Sequence, residues 1–151
     1  MKYKGEVTLT FKNKYGESLS VTHHNGGTLQ MQLAFANMLS GYSTAQFVPK
    51  YISGGFGVYQ VTGLNRFQET DSQNNVTRYY VRCSAIVPID GSIDDMLSSD
   101  YVYSLCGQRE DIVIATFTPN NDDISREEIE TFSRVGLQLN ISWKLYLEVD
   151  E

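Results

Sequence analysis

Alternation of apolar and polar residues is most regular near the end of the chain. Across residues 135–149 every second residue is apolar: Val135, Leu137, Leu139, Ile141, Trp143, Leu145, Leu147 and Val149. Gly136, Gln138, Asn140, Ser142, Lys144, Tyr146 and Glu148 fall between them. Side chains of a β-strand point alternately to opposite faces, so the pattern predicts a strand with one apolar and one wet face. At about 3.3 Å per residue such a strand would span roughly 50 Å, whereas an ordinary strand has about five or six residues. It must either bend to serve two sheets or run past its own domain. Its inward face offers no titratable group, so it is a platform. Trp143, Ile141 and Leu145 are expected in the core.

The same period recurs upstream. Residues 6–12 and 18–22 alternate around a turn at 13–17, which predicts a hairpin with Gly16 at positive φ. Residues 76–87 form a second long strand, with Tyr79, Val81, Cys83, Ala85 and Val87 on one face. Short strands are expected at 47–53 and 101–105, and residues 111–118 are apolar on both faces, as in a central covered strand. Residues 62–76 are polar and read as an exposed loop. A capped turn should lead into 93–97. Ser125-Arg126-Glu127-Glu128 matches a capping box for a helical turn over 126–132.

One helix stands out, Leu29–Ser40, with Thr28 as N-cap and Gly41 closing it. Leu29, Leu33, Ala36 and Leu39 share a face, which is expected to pack on the sheet with Leu33 in the core. Met31, Ala34 and Met38 lie almost opposite, leaving a narrow polar stripe around Gln30 and Asn37. A lone helix on a sheet should be apolar on one side only. Two apolar sides imply either wrapping by the protein's own loops or a helix pressed against a neighbouring subunit, where Met is a common filler. The expected fold is mainly β: a single antiparallel β-sandwich domain over residues 1–151 with one packed α-helix at about residues 29–40.

Composition narrows the function. The 151-residue chain carries a formal net charge of −6, which disfavours non-specific binding to a phosphate backbone. No run approaches the roughly twenty apolar residues that cross a bilayer, and residues 1–6 lack a signal-peptide core, so residence in a cytosol or inside an assembly is expected. Cys83 and Cys106 lie in apolar, strand-like surroundings without a CxxC or Cys/His pattern, and read as two buried thiols.

Candidate chemistry is sparse. His23 and His24 are adjacent, so in a strand they point apart, and no third ligand follows at useful spacing; a solvated loop is the simpler reading. The run Gly54-Gly55-Phe56-Gly57 lacks the Lys-Ser/Thr pair of a phosphate loop and suits a bulge or tight bend. Asp90, Asp94 and Asp95 resemble a fragment of a calcium loop without its order or terminal glutamate. No nucleophile–base set stands in a recognisable frame, so no catalytic, metal-binding or cofactor-binding residue is nominated.

The layout resembles a structural protein of the tailed-bacteriophage virion, of the collar, ring, tail or baseplate-attachment type, as in short-tailed phages including crAss-like phages. The resemblance rests on Asn25, Thr28, Leu29, Leu33, Ala34, Leu39 and Gly41, then Pro49, Tyr51, Ile52, Gly54 or Gly55, and Gly57. It continues through Cys83-Ser84-Ala85-Ile86-Val87-Pro88 and Ala115-Thr116-Phe117-Thr118-Pro119, and closes on Leu139, Ile141, Trp143, Leu145, Leu147 and Val149. An acidic–glycine–leucine motif of that class is echoed only by Ile93-Asp94-Asp95-Met96-Leu97. The resemblance implies a non-enzymatic component that assembles as a homo-oligomeric ring or collar layer at the head–tail junction or tail. It would dock portal, tail or fibre proteins, without a membrane, specific nucleic acid or cofactor, and would be put together in the bacterial cytoplasm. Met31, Ala34, Met38, Leu147 and Val149 are then the expected interface, and residues 62–76 would touch the adjacent layer. The alternatives are a carbohydrate-binding, host-recognition module that uses tyrosines as stacking platforms, and a small hydrolase.

Overall fold

The computed structural model describes residues 2–89, 92–120 and 124–148. The first alternating run forms β1 (Lys2–Lys12) and returns as β2 (Ser18–Asn25), with Gly16 at φ 78° in the turn. Asn13 ties this turn down: its Oδ1 accepts from the N–H groups of Tyr15 and Glu17, and its Nδ2 donates to the Ser133 carbonyl. Helix α1 is Leu29–Ser40, with the predicted caps: Thr28 Oγ1 accepts from Met31 N, and Gly41 is left-handed at φ 78°. A 3₁₀ turn at Ala45–Phe47 leads into β3 (Tyr51–Gly54) and β4 (Gly57–Gln60), a tight hairpin through Gly55 and Phe56. Then come β5 (Thr62–Thr70), β6 (Val76–Pro88), α2 (Ile93–Met96), β7 (Tyr103–Cys106), β8 (Val113–Phe117), α3 (Arg126–Thr131) and β9 (Gln138–Glu148).

The strands make two antiparallel sheets, ordered β2-β1-β9-β6-β5 and β4-β3-β7-β8. The fold is therefore mainly β, an antiparallel β-sandwich with a helix packed on it. Between the sheets lie Val7, Leu9, Phe11, Cys83, Ala85, Val87, Leu139, Ile141 and Trp143 from one side, and Ile52, Tyr103, Leu105 and Phe117 from the other. Trp143 and Ile141 are fully buried and Leu145 nearly so, as expected. Ile93, Met96, Ile129 and Phe132, on or beside α2 and α3, join the same core.

The two sheets differ in length. β1, β6 and β9 have 11, 13 and 11 residues, whereas β3, β4, β7 and β8 have 4, 4, 4 and 5. At about 3.3 Å per residue the long strands outreach the short ones by roughly 20 Å. The short sheet therefore covers only part of the long one. The inward side chains at the far end, Tyr3, Tyr79, Val81 and Leu147, overhang it.

Several expectations are corrected. Residues 62–76 are not a loop: β5 occupies most of them and pairs with β6 along nearly its whole length. Its alternation is hidden because the register shifts between Thr62 and Asn65 and again between Glu69 and Thr70, and because its inward positions Arg66 and Gln68 belong to the overhang. His23, His24 and Asn25 are strand residues opposite Val7, Glu6 and Gly5, not a solvated loop. The strand apolar on both faces is an edge strand, not a central one. It escapes exposure because Gly27 bridges to Ala115 and Thr28 Oγ1 reaches the carbonyls of Val113 and Ile114. The closing strand begins at Gln138 rather than 135, since Gly136 takes a positive φ of 65° and Val135 is half exposed. Val149, Asp90 and residues 121–123 lie outside the described residues.

Candidate assembly surface

Helix α1 is held at its first turn. Besides the contacts of Gly27 and Thr28 with β8, Asn25 Nδ2 donates to the Thr116 carbonyl at 2.6 Å. These bonds satisfy backbone acceptors of an edge strand and fix the rotation of the helix about its axis. The rotation places Met31 and Phe35 toward the overhang, where the Phe35 ring meets that of Tyr3 at 6.4 Å. Met31, Ala34 and Phe35 are half-buried. Leu29, Leu33 and Leu39 point to solvent, 78%, 46% and 84% exposed. The two faces are thus exchanged relative to expectation. Leu33 is not a core residue, because the pinned first turn presents the opposite stripe to the body, and α1 has no fully buried residue at all. Met38 lies between the faces and is 56% exposed.

Between α1 and the overhang runs an apolar groove. Two adjoining cavities of about 650 and 460 Å³ share Tyr3, Met31, Phe35 and Leu147 as lining. The first continues to Met38 along the helix, and the second to Leu145, Val81 and Tyr79 along the sheet. The Tyr3 hydroxyl is buried without a hydrogen-bond partner among the described residues. Burial first, and the nearby Cys83, raise its pKa above the usual phenol range. Of the expected interface, Met31, Met38 and Leu147 line this groove, whereas Ala34 is half-buried without lining it. Tyr3, Phe35 and Tyr79 were missed. Phe35 was legible: it falls four residues after Met31 and three before Met38, one stripe at helical spacing.

The segment that contains the helix carries no formal charge, and Arg66 reaches the groove from the sheet side. No Asp, Glu, Lys or Arg occurs in residues 18–49, in a chain where 20% of residues are charged. Depletion of charge beside a lining of Tyr3, Phe35, Met31 and Met38 resembles the composition found at the centre of protein interfaces.

The other candidates are quiet. Among the described residues no group of three His, Cys, Asp or Glu side chains could hold a metal ion. His23 lies against the Phe117 ring at 5.6 Å. Burial pushes the Cys83 thiol up to about 12 and raises that of Cys106, so neither is disposed to form a thiolate. Both thiols are buried and free, as expected. Asp71 caps the β5–β6 turn: the N–H groups of Asn75 and Gln73 lower its pKa. At the opposite end of the sandwich an aromatic cleft of about 350 Å³ is lined by Phe56, Tyr59, Tyr101, Ser92, Asp95 and Met96 among others. A Cβ at Gly55 would meet the Tyr101 hydroxyl at 2.9 Å, so a larger residue there would displace that ring.

No protein-family model matches the chain, and no curated protein or solved structure matches it.

Proposed function

We propose that the protein is a non-enzymatic structural subunit that works by self-association, as a ring or collar layer in the head–tail junction or tail of a bacteriophage virion. One observation carries the assembly part: Leu29, Leu33 and Leu39 stand exposed on a helix with no charged residue, beside an apolar groove at the overhanging end of the long sheet. Contiguous apolar surface of this kind marks a contact with another macromolecule. An acidic chain whose helix carries no cation is poorly suited to an anionic membrane, which leaves a protein partner. The virion setting rests on the sequence resemblance alone. Portal, tail or fibre proteins are then the neighbours, and the host cytoplasm the place of assembly.

Native mass spectrometry of the chain and of Leu33→Asp/Leu39→Asp tests this. Neither side chain is buried, so the variant should fold, with a melting temperature close to the parent. The parent should give one defined oligomer and the variant a smaller assembly or monomer. A parent that stays monomeric at high micromolar concentration overturns the reading.

The aromatic cleft favours a second reading, a glycan-binding module. Sugars stack on aromatic faces, and Tyr59, Tyr101 and Asp95 offer rings beside a carboxylate. Selective binding on a glycan array, lost in Tyr101→Ala, would establish it.

A further inference from the structure

The outward face of the long sheet collects half of the chain's cations. The registers place Lys2, Lys4, Lys12, Arg78, Arg82 and Lys144 away from the core, together with Glu6, Glu69 and Glu148. Six cations against three carboxylates give this face +3 (6 − 3), on a chain of −6. The cations are also ordered. The Arg82 guanidinium lies 4.5 Å from the Phe67 ring centre, Lys144 Nζ 4.2 Å from Tyr80, and the Arg78 guanidinium 4.0 Å from Tyr146. Phe67 and Tyr80 stack across the strands at 5.5 Å. Glu69 bonds to Arg78 at 2.8 Å and Lys144 at 3.0 Å, and Lys4 pairs with Glu148 at 2.6 Å. Among the described residues no carboxylate pairs with Lys2, Lys12 or Arg82.

The opposite charge gathers around α2 and α3. Among the described residues of 92–100 and 125–134, Asp94, Asp95, Asp100, Glu127, Glu128 and Glu130 stand against Arg126 and Arg134, a balance of −4 (2 − 6). Both arginines are directed to Asp94, at 3.6 and 3.9 Å, and Arg126 also to Glu130. Asp95, Asp100 and Glu127 have no ion pair among the described residues.

We infer that the outward face of the long sheet docks the α2–α3 end of a second copy. This deepens the assembly reading and rests on it. Complementary potentials steer encounter and suppress wrong registers. A two-fold contact through either surface would set like charge on like, so this pairing joins two different patches of the same chain. When the two patches engage different neighbours the contact is heterologous, and it closes into a ring when its rotation permits. A single-stranded nucleic acid suits the face less well, because Phe67, Tyr80 and Tyr146, the rings on which bases would stack, already carry cations.

The test is sedimentation or native mass spectrometry of the full chain, of Arg82→Glu, of Glu127→Lys and of the double variant, with folding checked by circular dichroism. Each single reversal should weaken association at least tenfold at low salt, and the double variant should regain most of it. Raising salt from about 0.1 to about 1 M, which shortens the screening length from about 10 to about 3 Å, should weaken the parent and spare the difference between variants least. Oligomers indifferent to salt and to both reversals would overturn this docking while leaving the assembly reading intact. A parent monomeric at every salt would instead overturn the assembly reading. A fluorescent single-stranded oligonucleotide bound by the parent and released by Arg82→Glu would also overturn the inference, by assigning the face to a polyanion.

Discussion

The two ends of the long sheet share strands but not circumstances. At one end Leu9, Phe11, Ala85, Val87, Leu139 and Ile141 are sealed beneath the short sheet. At the other, Tyr3, Val81 and Leu147 continue the same inward faces, yet among the described residues α1 alone stands over them, through Met31 and Phe35, and the groove stays open. Alternation is identical in both. What differs is whether a second layer exists to receive the apolar side chains, and a sheet face without a second layer must find one in another molecule or remain wet. The covered end thus holds the subunit together, and the overhanging end is available to join it to others.

Three measurements break or sharpen that comparison. Trp143 is fully buried at the covered end, so Trp143→Ala should cost about 3–5 kcal/mol in denaturant melts, as aromatic truncations in cores do. A loss below about 1 kcal/mol would mean that the covered end is not the stability centre. Phe35 is the counterpart at the overhang. Being half-buried against Tyr3, it should cost the isolated subunit about 2 kcal/mol on truncation to alanine, roughly half the core value. The same substitution should weaken assembly further if the groove is an interface, so equal losses in subunit and oligomer would argue that it is not.

The smallest effect concerns Glu69, on the outward face. Hydrogen bonds from Arg78 and then Lys144 hold its carboxyl below the ordinary range. A carboxyl depressed in the folded state contributes stability above its unfolded pKa and loses it as pH falls through the folded one. The parent should therefore lose stability from about pH 5 downward slightly more than Glu69→Gln does, by less than about 1 kcal/mol because the group is solvent-exposed. Parallel acid melts of the two proteins would contradict the bridging role of Glu69 between β6 and β9.

Much of this architecture follows from local pattern. Period-2 alternation located β1, β2, β6 and β9, and cap chemistry at Thr28, Gly41 and Ser125 placed α1 and α3 to within a residue, because side-chain alternation and capping are nearest-neighbour properties of the backbone. Trp143 and Ile141 were legible as core for the same reason. Tertiary structure alone decided the rest. Local pattern shows that α1 has two apolar stripes but not which one meets the sheet; the bonds of Asn25, Gly27 and Thr28 to β8 settle that, and they turn Leu33 outward. Local pattern likewise cannot show where one sheet stops covering another. The overhang depends on the relative lengths of strands far apart in the chain. The surplus of cations on one face depends on registers joining β1, β5, β6 and β9, each of which supplies only one to three of the six cations or a ring or carboxylate beside them. The amino-acid order thus determined which side chains share a strand face, and the packing of the two sheets determined which of those faces was left without a partner.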